Sequence, residues 1–127
     1  MTGILLDTNI LIALINGTQG QLPRRLREPL AQPAIQLAIS VVSPWEIAIK
    51  LATGRLRLYI ERNDLGRWLE ASGLSLLPMT IDHAIEVAHP EPDTKDPFDR
   101  LLLAVCACEG LKLLTTDTKL AGHRLVY

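Results

Sequence analysis

A chain of 127 residues, 48% of them hydrophobic, is sized for one domain with a real core, which excludes disorder. Its aromatic share is only 4%, and the apolar mass is Leu, Ile, Ala and Val, a composition that suits helices packed on a buried sheet. The formal net charge of −1 excludes a broadly basic nucleic-acid binder, and no apolar run approaches the ~18–20 residues of a membrane span.

Gly3 to Leu6 reads as the first strand and Thr8 to about Ile15 as a helix ended by Asn16-Gly17. No basic stretch precedes that apolar start and no small-residue cleavage site follows it, so a secretory signal is not expected there. A basic helical stretch from about Gln21 to Ala31 comes next, with Pro23 near its start and Pro29 and Pro33 limiting its length. Gln36 to Val42 is the second strand. Ser43 opens a helix that runs to about Thr53 and stops at Gly54. Asn63 or Asp64 caps a further helix with an apolar face of Leu65, Trp68 and Leu69, ending at Gly73. Those three residues serve either the core or a partner contact.

Ser75 to Leu77 is a short third strand, Thr80 to Ala88 a short helix, and His89 to Lys95 a proline-bearing loop. Asp96 starts a long helix to about Glu109, stopped by Gly110. Leu111 to Thr115 is the fourth strand, and Arg124 to Tyr127 a brief fifth. No repeat or long linker interrupts the pattern, so residues 1–127 form a single domain. Strands alternating with helices predict an α/β fold with parallel strands and right-handed crossovers.

Four acids follow short apolar runs: Asp7, Glu46, Asp99 and Asp117. In an open parallel sheet, ligands bind outside the carboxyl ends of the strands, near the point where strand order reverses. Asp7 ends the first strand, Glu46 follows the second, Asp117 follows the fourth, and Asp99 lies in the helix before it. Two carboxylates ~5 Å apart repel by about 3 kcal/mol at an effective dielectric near 20. Protons, a nearby Lys or Arg, or a divalent cation can compensate such a cluster. Oxygen-only ligands favour Mg²⁺ or Mn²⁺, which can polarise a phosphoryl oxygen and activate water. The pattern therefore points to a metal-dependent enzyme acting on phosphodiesters.

A plainer reading competes at two of these junctions. Ser43-Pro44-Trp45-Glu46 and Asp96-Pro97-Phe98-Asp99 each have the grammar of a cap, a first-turn proline, an aromatic and an acid. A capping box needs nothing more, and first-turn acids complement the helix dipole. Asp96 reads as the cap of its helix or as an acid behind the metal ligands. Lys50, one turn after Glu46, can pair with it, bind a phosphate or form a plain i,i+4 surface pair. Arg100 has the same choice between substrate backbone and solvent.

Charge is unevenly spread. Arg24, Arg25, Arg27, Lys50, Arg55 and Arg57 dominate the first half, while Asp82, Glu86, Glu91, Asp93, Asp96 and Asp99 crowd a stretch holding only Lys95. This suits either a polyanion lying across both regions or ordinary solvated charge. His83, His89 and His123 lie in no metal-ligand spacing and read as surface or partly buried residues. Cys106 and Cys108 are two apart on a helix and suit neither a disulfide nor a shared metal; a reducing cytoplasm is the expected compartment.

The pieces LLDTNIL, SPWEIAIK followed by GRL, DPFDRLLLA and LLTTD, in this order and spacing, resemble PIN-domain ribonucleases, and among them the VapC-type toxins of bacterial toxin–antitoxin pairs. The resemblance covers essentially the whole chain. It implies a three-layer α/β/α sandwich around a central, mostly parallel sheet of four to five strands, and RNA cleavage dependent on Mg²⁺ or Mn²⁺. Asp7 and Asp99 would be the principal metal ligands, with Glu46 and Asp117 completing the catalytic site. Thr8, Asn9, Ser43 and Thr115 would support it. A 5′-phosphate and a 3′-hydroxyl are the implied products, and a homodimer and a cognate antitoxin the implied partners. Lys95 stands where relatives often carry histidine.

Two rivals remain. One is a catalytically inactive PIN-like module that binds RNA or a partner; the presence of all four acids counts against it. The other is a phosphatase-like hydrolase with an aspartyl nucleophile, a chemistry that usually wants a second acid where Asn9 stands.

Overall fold

The computed structural model describes residues 3–127. Four strands, β1 (Gly3–Leu6), β2 (Gln36–Ser40), β3 (Ser75–Leu77) and β4 (Lys112–Leu114), form one sheet in the order β3-β2-β1-β4, and every pairing is parallel. Leu5 pairs with Ala38 on one side and with Leu113 on the other, so β1 is central. Six α-helices accompany the described strands: α1 (Thr8–Asn16), α2 (Arg24–Leu30), α3 (Val42–Ala52), α4 (Leu65–Ala71), α5 (Ile81–Ile85) and α6 (Pro97–Glu109).

Alternation along the strands sorts the core into two layers. Ile4, Leu6, Ile39 and Leu114 pack with Ile10, Leu11 and Ile15 of α1, Leu26 of α2, Ile47 of α3, and Leu65 and Leu69 of α4. Leu5, Ala38 and Leu113 point the other way, onto Leu102, Leu103, Val105 and Cys106 of α6. Period-2 strands carrying opposite faces into two helical layers make a three-layer α/β/α sandwich. Leu65 and Leu69 are buried and Trp68 packs against them, so the apolar face of α4 belongs to the core.

Helix ends follow local chemistry. Gly17 ends α1 at φ 71° and Gly110 ends α6 at φ 69°, left-handed conformations that a side chain would strain. Asp96 caps α6: its Oδ1 accepts from Phe98 N at 2.9 Å, and Pro97 takes the first helical position.

Four expectations need correction. Ser43 does not cap its helix. β2 ends at Ser40, whose Oγ accepts from Val42 N at 3.1 Å, and α3 begins one residue before Ser43. Pro44 then falls in the first turn, where its missing N–H has no helical partner to lose. The short helix stops at Ile85, because Glu86 is extended (ψ 142°) and the chain leaves to bury Ala88. The basic stretch divides into a 3-10 turn at Gln19–Gln21 and the helix Arg24–Leu30, with Pro29 inside the latter. The brief fifth strand reduces to a single parallel bridge between Leu113 and Val126.

The interior of β1 is the most sensitive part of the core. Leu5→Ala, at a position with 0% exposure, is expected to lower the unfolding free energy by about 2–5 kcal/mol. Chemical denaturation followed by circular dichroism measures it, and a loss below 1 kcal/mol would contradict the packing described.

Candidate functional site

The strand order places a reversal beside β1: the chain runs outward through β2 and β3, then returns to lay β4 on the opposite side. Asp7 leaves the carboxyl end of β1 at that reversal, and its N–H donates to Leu114 O of β4 at 3.0 Å. A cleft of about 320 Å³ opens there, lined by Asp7, Thr8, Asn9, Glu46, Lys50, Asp96, Asp99, Thr116 and Asp117. The four acids singled out by sequence thus face one cavity, at the edge where open parallel sheets bind ligands.

Asp7 is the most deeply buried of the four, 5% exposed, and Glu46 is buried as well. It caps α1 through Oδ1, which accepts from Asn9 N at 2.6 Å. Its Oδ2 accepts from the hydroxyl of Thr115, itself buried behind the cleft. Burial pushes the Asp7 carboxyl above its ordinary value; these two hydrogen bonds oppose that, Glu46 adds to it and Lys50 relieves it. Thr8 Oγ1 donates to Ser43 Oγ at 3.0 Å, a buried link between α1 and α3. Ser43 thus sits behind the cleft, joined to Thr8, without lining the cavity itself.

Glu46 lies on the second turn of α3 and reaches Lys50 Nζ at 2.9 Å, so it takes no part in a capping box. Asp99 is likewise free of one. Its Oδ2 accepts from Thr94 Oγ1 at 3.3 Å, and that oxygen accepts from Asp96 N at 3.2 Å. Asp96 caps α6, as one of its two readings had it, and it also lines the cleft. Asp117 caps a 3-10 turn at Thr118–Leu120, its Oδ1 accepting from Lys119 N at 2.9 Å, while its own N–H donates to Thr115 Oγ1 at 3.0 Å. Burial, then repulsion from Asp96 and Asp7, raises the Asp99 carboxyl to about 6.

The acids share the cleft without converging on a point. Among the described residues, no three Asp, Glu, His or Cys side chains are drawn together into a ligand cage. The donors that line the cleft are carboxylate oxygens, the ligand type that suits a hard divalent cation.

Arg100 lies apart from these groups. Its guanidinium meets Glu91 Oε1 at 2.6 Å and the carbonyl of Thr94 at 2.8 Å, lining a neighbouring groove instead of the acidic cleft. His83 is buried, not superficial: it forms a capping box with Thr80 at the start of α5. Sequence reasoning missed Thr94 and Ser40. Each is a hydroxyl two residues before the backbone N–H it accepts from, a turn signal carried by the sequence.

The structure is thus a parallel α/β/α sandwich with carboxylates gathered at the carboxyl edge of its sheet. The sequence profile of the PIN domain matches residues 4–124, and the chain belongs to the PIN-domain family, whose members are generally nucleases. It is also similar to a solved chain from a toxin–antitoxin complex of Klebsiella pneumoniae, with 26% sequence identity and a TM-score of 0.62 over 98% of this chain and 95% of that one. No curated protein sequence matches it. No helix among the described residues is long and apolar enough to cross a membrane.

The raised carboxyls have a measurable consequence. A carboxyl whose folded pKa exceeds its unfolded value near 4 costs stability once the pH rises above 4, and the cost is complete above about 6 for Asp99. The metal-free chain is therefore expected to melt higher at pH 5 than at pH 7, with a smaller difference in Asp99→Asn. Identical pH dependence in the two proteins would show that Asp99 is not perturbed.

Proposed function

We propose that this chain is a metal-dependent endoribonuclease, the toxin component of a toxin–antitoxin module. The observation that carries the reading is that Asp7, Glu46, Asp99 and Asp117, from four separate segments, line one cleft at the carboxyl edge of the sheet. Membership of the PIN-domain family and likeness to a chain of a toxin–antitoxin complex support it.

In this reading Asp7 and Asp99 hold Mg²⁺ or Mn²⁺, and Glu46 and Asp117 complete the acidic site. When bound, the cation supplies Lewis acidity toward a phosphoryl oxygen and a nucleophile from water at neutral pH. The chain's own residues do the positioning. Thr115 and the Asn9 N–H fix both oxygens of Asp7, so its carboxylate is oriented before any ligand arrives. Thr94 orients Asp99 from behind, and the Thr8–Ser43 link holds α1 against α3, keeping Glu46 facing Asp7. The histidines stay outside: none of His83, His89 or His123 lines the cleft, so acid–base work falls to the carboxylates and solvent. RNA is the substrate class, and a cognate antitoxin and a second copy of the chain are the protein partners, acting in the cytoplasm.

Two measurements test this. Purified chain with Mn²⁺ is expected to cut single-stranded RNA. EDTA abolishes the cutting, and Asp7→Asn slows it by more than about 100-fold, beyond what loss of an outer partner costs. Intact RNA with the metal-loaded wild type would leave only a binding role. Separately, Mn²⁺ at about 100 times its Kd is expected to add about 2.7 kcal/mol to wild-type stability, and much less to Asp99→Asn. Equal Tm shifts in both would remove Asp99 from the ligand set.

A further inference from the structure

Among the described residues lining the acidic cleft, Lys50 is the single base facing five acids: Asp7, Glu46, Asp96, Asp99 and Asp117. Its Nζ lies 2.9 Å from Glu46 Oε2, one turn back on α3, with side-chain exposures of 28% and 10%. The same i,i+4 spacing on α2, Arg24 with Glu28, leaves 83% and 56% exposed. The Lys50–Glu46 pair is therefore not a solvated surface contact: both ends are largely withdrawn from water and aimed into the cleft.

We propose that Lys50 is a built-in competitor for the divalent cation, its ammonium occupying Glu46 in the unloaded cleft and setting how tightly metal is held. The inference rests on the cation-binding reading above. Two effects act together. The Glu46 oxygen engaged by Nζ must be released before it can serve as a ligand, and a positive charge held in the same cleft repels an entering cation where water screens poorly. Lysine suits the part, because a compact ammonium on a flexible four-carbon stem can withdraw without unfolding its helix. With that charge in place, the cleft tolerates its five acids before metal arrives. Lys50 is thus a positioning residue that acts through Glu46.

The test is calorimetric titration of Mn²⁺ into the metal-free chain, which reads affinity without turnover. Lys50→Met keeps the length of the stem and removes the charge, and it is expected to tighten the Kd about tenfold; Lys50→Gln should shift it in the same direction. Lys50→Arg retains the charge and a stronger grip on Glu46, so it should bind Mn²⁺ no more tightly than wild type. A pair that merely staples α3 would, on truncation, leave the Kd unchanged or weaken it. If both neutral variants do so while Asp99→Asn has lost the wild-type binding, the Lys50 proposal is overturned and the cation site survives. If neither wild type nor the neutral variants bind Mn²⁺, both fall. Binding that emerges only in the neutral variants supports the competitor role.

Discussion

Carboxylates resist burial and repel one another, and this chain concentrates five of them in one cleft, one on a residue only 5% exposed. Everything around the cleft compensates for that concentration. Thr115 and the Asn9 N–H satisfy Asp7, Thr94 donates to Asp99, Lys50 pairs with Glu46, and the N–H groups of Phe98 and Lys119 meet Asp96 and Asp117. Capping contacts of this kind are ordinary at helix starts. Their clustering around one cavity is not needed for helix formation.

The sheet makes the clustering possible. Strand order β3-β2-β1-β4 puts the chain reversal next to the central strand, so the segments after β1 and β4 diverge from adjacent carboxyl ends and leave a gap. α3 and α6 then bring in Glu46 and Asp99. Their N-terminal halves meet through Trp45 and Phe98, whose ring centroids lie 5.5 Å apart in a tilted pair. Each aromatic immediately precedes one of the acids, so the ring contact lies beside the cleft where the two helices approach. Packing and site geometry are one arrangement here.

That coupling bears on the proposed chemistry. A nuclease that relies on a divalent cation would need its carboxylates oriented in advance, and Asp7 and Asp99 are so oriented here. The hydroxyl network orients them, and together with Lys50 it offsets part of the cost that burial and mutual repulsion impose. The cleft is therefore crowded with carboxylates whose repulsion is only partly offset, the condition under which a positive charge gains most from entering.

The sequence by itself located the four strands of the sheet and several helix ends, because alternation, Gly17, Gly110 and the Asp96-Pro97 pair act over a few residues. It also marked Asp7, Glu46, Asp99 and Asp117, since an acid at the end of a buried apolar run is locally conspicuous. Ser43 was misread because its tetrapeptide copies the grammar at Asp96, while the turn that starts α3 is made upstream by Ser40. The last strand was overestimated because a strand's length depends on its neighbour, and β4 offers Val126 a single bridge. Tertiary structure alone decided that Lys50 turns into the cleft and Arg100 away from it, and that Thr115 reaches across 108 positions to Asp7. A side chain's partner is set by which elements pack beside it, and spacing along one helix does not encode that.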